Sequence, residues 1–216
     1  MPKTLVLDLD GTLVDSVPDL RAALNRLFAA RGLAPFEYDE VAAMVGNGAQ
    51  VLLTKAFAAR GQDYDPAAFD AFLADYTENS AVETRVYPGV PETLRHFADN
   101  GWVIAVCTNK PEIPARKVLE ALGIAPFLAA VGGGDSFPVK KPDPAHLLAT
   151  LSAAGGSPDS AVMVGDHHND VVAAAGAGLP CVFAAWGYGP REMAVGAACV
   201  AERFSDLPDM AERLVR

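Results

Sequence analysis

Two aspartates, one residue apart, close a hydrophobic run near the start of this chain. In LVLDLDGTLVDS (5–16), Asp8 and Asp10 follow three apolar residues and precede Gly11. Carboxylates two residues apart on an extended chain point to the same side. Farther on, Thr108 and Asn109 follow the apolar run WVIAVC (102–107), Lys140 and Lys141 lie in FPVKKPDP, and Asp166 and Asp170 in GDHHND. Clustered carboxylates without counter-charge repel one another and take up protons, so such a set calls for a cation. Oxygen donors with no cysteine or histidine pattern favour Mg²⁺. Beside such an ion, a carboxylate can attack phosphorus and form an aspartyl-phosphate. Thr108, the Asn109 amide and one lysine then meet the equatorial oxygens. A second carboxyl on the same side protonates the leaving oxygen and later deprotonates water. Gly11 permits the sharp turn after the strand.

These residues must be brought to one place by the elements that precede them. Short, almost continuously apolar runs recur at 4–9, 102–107, 127–133, 161–165 and 180–185. They read as strands buried on both faces. Helix patterns lie between them at 91–101, 112–123, 144–155 and 169–178. Alternation of this kind predicts a parallel α/β sheet, whose sites form outside the carboxyl ends of the strands. The pairs named above fall at or just beyond such ends. Residues 16–83 break the alternation and read as four helices at 17–31, 38–45, 48–60 and 66–80. The expected organisation is a Rossmann-like core of 1–15 and 84–216 with an all-helical cap, 16–83, inserted after the first strand.

Composition narrows the partners. The 216 residues are 51% hydrophobic, enough for a sizeable core, and carry a net charge of −10 with no basic run. Such a surface repels a phosphate backbone, so nucleic acid is not an expected partner. Cys107, Cys181 and Cys199 sit in apolar runs and are expected to be reduced, buried thiols of a cytoplasmic protein. The N-terminus reaches the charged DLD within ten residues, without a signal-peptide pattern. The uncharged stretch 171–189 is cut by Gly176, Gly178 and Pro180, which argues for a core helix, a turn and a strand rather than a membrane span.

DLDGTLVDS, CTNK, KKPDP and GDHHND, in that order, resemble the four motifs of the haloacid dehalogenase superfamily. The helical insert is similar to that of its C1-capped branch. MVGNGAQVLL, VYPGVPETL and CVFAAWGYGP resemble the phosphoglycolate phosphatases within it. The resemblance implies a Mg²⁺-dependent phosphatase of a small phosphorylated metabolite, 2-phosphoglycolate first, working as a monomer or homodimer. It implies that Asp8 is the nucleophile and a metal ligand, and that Asp10 is the general acid/base and binds metal through its carbonyl. Thr108 then binds phosphoryl oxygens, Lys141 pairs with the nucleophile and the phosphate, Asp166 is the third protein ligand, and Asp170 supports. Many relatives have serine where His167 stands, which touches the surroundings of the metal rather than its ligand set.

Alternatives remain at this stage. A pyrophosphatase, a sugar-phosphate phosphatase or a phosphomutase of the same branch shares these motifs. A signalling receiver domain also joins a phosphorylated Asp, a Thr and a Lys, but its aspartate does not lie on the first strand and it has no cap. Dehalogenation is disfavoured, because halide displacement needs no second aspartate. In the insert, Gly46, Asn47 and Gly48 either form a turn between helices or offer backbone N–H groups to a substrate carboxylate. Arg21, Lys55 and Arg60 read as solvated helix faces, His96 and His146 as surface or packing residues, and His167 and His168 as a solvated or supporting pair.

Overall fold

Residue 7 of the chain lies level with two neighbours at once, and this register organises the protein. In the computed structural model, which describes residues 2–215, the strand β1 (Thr4–Leu7) pairs in parallel with β4 (Val103–Cys107) on one side and β6 (Ala161–Gly165) on the other. Leu7 is opposite both Val106 and Val164. The sheet is completed by β5 (Ala130–Gly132) beyond β4, and by β7 (Cys181–Ala184) and β8 (Cys199–Ala201) beyond β6. All its pairings are parallel, in the order β5-β4-β1-β6-β7-β8. The chain leaves β1 in one direction and later returns to its other side, so the carboxyl ends of β1, β4 and β6 flank a topological switch point.

Alternation along β1 sorts the core into two layers. Leu5 and Leu7 pack with residues of α5 (Val90–Asp99), α6 (Glu112–Ala121) and α9 (Leu207–Leu214). Val6 faces the other way, among residues of α7 (Pro144–Ala153) and α8 (His168–Ala177). Both sides of the sheet are thus covered, which is why its strands read as unbroken apolar runs. The strand and helix order follows the expected alternation, with one more strand in the sheet and one more helix, α9. The segment Cys199–Ala201 was not expected as a strand, because three residues carry no periodicity.

Four helices intervene between β1 and α5: α1 (Val17–Ala29), α2 (Tyr38–Ala42), α3 (Ala49–Ala59) and α4 (Ala67–Glu78). They share a hydrophobic cluster of their own in which Phe28 stacks edge-on to Phe36 and Phe72 packs on Tyr76. Arg60 is not a solvated face. It spans Glu40 at 2.9 Å and the carbonyls of Ala34 and Pro35, with its guanidinium 3.7 Å from the centre of the Phe36 ring. Cys107 and Cys181 are buried as expected, whereas Cys199 is only half-buried. Among the described residues no helix is long and apolar enough to cross a membrane.

The chain enters and leaves the helical insert through a short antiparallel ribbon, β2 (Val14–Asp15) with β3 (Arg85–Val86). One buried carboxylate secures it. Asp19, in the first turn of α1, accepts hydrogen bonds from the backbone N–H groups of Glu83 and Thr84 and from the Thr84 hydroxyl. Asp19→Ala would leave the two N–H groups without an acceptor, while the Thr84 hydroxyl keeps the Ser80 carbonyl at 3.0 Å. We expect a loss of about 3 kcal/mol of unfolding free energy, read from the midpoint of urea denaturation; a change below about 0.5 kcal/mol, the scale of an ordinary surface substitution, would show that the ribbon does not depend on this contact.

Candidate active site

Extending the register of β1 by one residue sets Asp8 beside Cys107 and Gly165, so Thr108 and Asp166 follow at the neighbouring strand ends. The Asp8 N–H donates to the carbonyl of Val164 at 2.9 Å, and its own Oδ1 accepts from the N–H of Leu9 at 2.7 Å. Gly11 turns the chain with φ +84°, and a Cβ there would lie 2.3 Å from a carboxylate oxygen of Asp166. Only glycine satisfies both conditions.

Of the two neighbouring lysines, Lys141 is in the site. Its ammonium lies between Asp8 Oδ1 at 3.0 Å and Asp170 Oδ1 at 2.6 Å, with all three side chains buried. Lys140 points elsewhere and donates to the carbonyl of Asn47 at 2.9 Å. Burial opposes the Lys141 charge, but Asp170 and Asp8 outweigh it and push its pKa up. His146, fully buried, fixes the lysine's backbone. Its Nδ1 accepts from the Lys141 N–H at 3.2 Å, which leaves Nε2 to donate to the carbonyl of Gly133 at 3.0 Å. Burial, with Lys141 nearby, lowers its pKa to about 4, so the ring stays neutral. Of the two sequence readings for His146, packing is the one realised; His96 is exposed.

Asp170 also serves as a helix cap. Its second oxygen accepts from the His167 N–H at 3.0 Å while His167 Nδ1 accepts from Asn169 N–H, a reciprocal cap on α8. Asp166 accepts from the Thr12 hydroxyl at 3.0 Å and from the N–H groups of Tyr188 and Gly189 at 2.8 and 3.3 Å. His168 is exposed.

Asp10 turns away from this cluster to a partner the sequence reading did not single out. Lys110, the last residue of CTNK, donates to Asp10 at 2.9 Å and to the hydroxyl of Tyr76 on α4. Burial works against this charge too, but Asp10 and Tyr76 prevail and raise its pKa. Position beside Thr108 and Asn109 at a strand end was the available signal for Lys110. Tyr76 gave none, since its helical spacing is that of a core aromatic.

The turn at Gly46, Asn47 and Gly48 meets the core mainly through acceptors. The Gly46 carbonyl takes hydrogen bonds from Asn109 and Asn169, and the Asn47 side chain takes another from Asn169. A Cβ at Gly46 would lie 2.5 Å from the His167 ring. The side-chain nitrogen of Asn109 is spent on Gly46 and on the carbonyl of Lys141, so any contact with an anion falls to its backbone. The hydroxyl of Thr108 accepts from the Lys110 N–H at 3.2 Å.

Four carboxylates, Asp8, Asp10, Asp166 and Asp170, thus face two ammonium groups, and two negative charges stay uncompensated in a region of low exposure. Oxygens of Asp8, Asp166 and Asp170 all lie within 4.8 Å of one another. Burial lifts the Asp8 carboxyl to about 6 despite Lys141, and burial with Asp8 and Asp170 nearby lifts Asp166 to about 8. A hard divalent cation fits this donor set and its charge deficit. Asp8 and Asp166 are the carboxylates not already spent on holding a helix end.

Comparison with known proteins agrees with this arrangement. A family model described as haloacid dehalogenase-like hydrolase matches residues 2–178. The chain belongs to that family. It is 44% identical over 218 residues to a phosphoglycolate phosphatase of Rhodospirillum rubrum, covering 97% of this chain and 90% of the relative. It is 44% identical over 188 residues to one of Agrobacterium fabrum, covering 85% and 80%. A crystal structure of a predicted phosphoglycolate phosphatase from Haemophilus somnus superposes with a TM-score of 0.88 at 32% identity, over 97% of both chains. The family places the parallel sheet and its strand-end carboxylates among hydrolases, which the sequence motifs led one to expect.

A pH dependence follows. A carboxyl whose folded pKa is raised keeps its proton in the native state above pH 4, so its contribution to stability falls as pH rises toward the folded value. For Asp8 and Asp166 that window runs up to about 6 and about 8. A cation must displace these protons at low pH and relieves repulsion at high pH. Added Mg²⁺ should therefore raise the melting temperature of the metal-free protein by about 5 °C more at pH 8.5 than at pH 5.5. Equal rises, measured by scanning calorimetry, would separate these two carboxylates from cation binding.

Proposed function

We propose that this chain is a phosphatase that hydrolyses 2-phosphoglycolate through a phosphoryl group carried on Asp8. The carrying observation is the placement of Asp8: buried at the end of the central strand, held by Lys141 and the Leu9 N–H, and open to a small cavity under the helices. Asp8 is ionised for attack near neutral pH, because Lys141 opposes the rise that burial causes. Lys141 steadies the carboxylate and then meets the phosphoryl oxygens together with the Thr108 hydroxyl and the Asn109 backbone. Asp10 gives a proton to the leaving alkoxide and, once the phosphoryl group is on Asp8, takes one from the water that cleaves it. The water attacks phosphorus, the Asp8–phosphoryl bond breaks, and phosphate leaves with the carboxylate restored.

Asp8 and Asp166, with the backbone carbonyl of Asp10, would hold Mg²⁺, and Asp170 would support them. The ion supplies charge neutralisation for the phosphoryl oxygens and for the carboxylates around them. Residues 16–83 act as a cap whose closure excludes bulk water. The cavity that contains Asp8 is about 40 Å³ and is roofed by apolar side chains of the insert, a setting that suits a compact ester. The names of the Rhodospirillum and Agrobacterium relatives support the same substrate.

The test is a screen of small phosphorylated metabolites with Mg²⁺, using Asp8→Asn as control. Wild-type protein should release many phosphates per chain, with 2-phosphoglycolate preferred. Asp8→Asn should lower kcat by on the order of 10⁴-fold or more. Wild-type turnover in that variant would remove the mechanism. A single phosphate per chain would favour the signalling receiver, and higher activity on sugar phosphates would remove the substrate.

A further inference from the structure

Two cavities lie between the helical insert and the core; Lys55 lines one, and Lys110 is the only cationic side chain among the described residues that line the other, which contains Asp8. The floor of this cavity is Asp8, Asp10, Thr108 and Asn109, and its roof is hydrocarbon from α1, α3 and α4, such as Leu20, Leu52 and Phe72. A phosphomonoester reacting at Asp8 must direct its organic end toward that roof. A polyol there would lose its hydration without finding partners, and a bare alkyl group would gain nothing from a buried charge. A small anion suits the setting. About 40 Å³ of room holds roughly three water-sized groups, the scale of a carboxylate.

Tyr76 supplies an independent observation. Its hydroxyl is buried, accepts from Lys110, and donates to no acceptor among the described residues. A buried O–H with an unused proton is costly unless a ligand takes it. The ammonium and this hydroxyl are adjacent and both lie at the cavity wall.

We propose that Lys110 and Tyr76 form the receptor for a carboxylate on the substrate, so that the enzyme selects phosphomonoesters bearing an acid group close to the ester oxygen. This deepens the phosphoglycolate reading and rests on it for the reacting end of the substrate. The Lys110 charge is shared with Asp10, which ties recognition of the acid group to the group that moves protons.

The experiment compares substrates that differ only in a carboxylate against a hydroxymethyl group: 2-phosphoglycolate with 2-hydroxyethyl phosphate, and 3-phosphoglycerate with glycerol 3-phosphate. Wild-type kcat/KM should favour the acid of a pair by about 100-fold. Lys110→Met should erase most of that ratio, mainly through KM, Tyr76→Phe should lower it several-fold, and Lys110→Arg should restore part of it. An equal fall on both members of each pair would overturn the proposal and make Lys110 a positioning residue for Asp10. If Lys110→Met does not fold, wild-type inhibition decides: glycolate should compete at least about tenfold better than ethylene glycol, and equal inhibition would overturn the receptor. A preference for 3-phosphoglycerate that Lys110→Met abolishes, with 2-phosphoglycolate a poor substrate, would remove the phosphoglycolate reading and keep the receptor.

Discussion

One lysine between two buried carboxylates is the constraint on which the site depends. Asp8 follows the end of β1 and Asp170 lies in the first turn of α8, and the Lys141 ammonium is the cation that bridges them. The lysine in turn needs both. Removing any one of the three leaves an uncompensated charge where water is scarce, so they stand as a unit. Much of the surrounding structure serves to hold that unit. His146 grips the lysine's backbone, Asn109 takes its carbonyl, and Asp170 is locked by capping α8.

The same residues carry the docking of the helical insert. Asn109 binds Lys141 with one hydrogen of its amide and Gly46 with the other. Asn169, next to Asp170, binds the same turn. Lys140, adjacent to the site lysine, binds Asn47. On the far side Lys110 joins Asp10 to Tyr76 of α4. The contacts to Gly46, Asn47 and Tyr76 cross to the insert from residues in or beside the site. The insert and the charges beneath it are therefore joined through the same side chains.

The sheet was legible because its strands are covered on both faces and must be apolar throughout; 161–165 matched the observed strand end to end. The helices were legible from their spacing, with ends within three residues, except α9, which was not expected. What pattern could not supply was pairing across the fold. Lys110 follows Thr108 and Asn109 in an obvious motif, yet its role depends on Tyr76, some thirty residues earlier and indistinguishable there from a core aromatic. Arg60 read as solvated because its partners, Glu40 and the carbonyls of Ala34 and Pro35, lie twenty or more residues earlier and meet it only in the folded insert. The strand at 199–201 is set by its neighbour β7 and not by its own composition. The family resemblance pointed to Lys141 and not Lys140, and the grip of His146 on the Lys141 backbone is the physical account of it.

The ribbon of β2 and β3 has a consequence for how such a protein can vary. Entry to and exit from the insert run side by side, with Val14 opposite Val86 and Asp15 opposite Arg85. The two ends of the inserted segment therefore meet at one spot on the surface of the sheet domain. To the sheet, the sixty-odd residues between them amount to a single long hairpin loop. Such a loop can be lengthened, shortened or exchanged for another fold without altering a strand order or a register, because loop closure costs rise only slowly with length. The strand-end groups and the apolar wall that α1, α3 and α4 set over them thus come from separate stretches of chain, joined at two short strands.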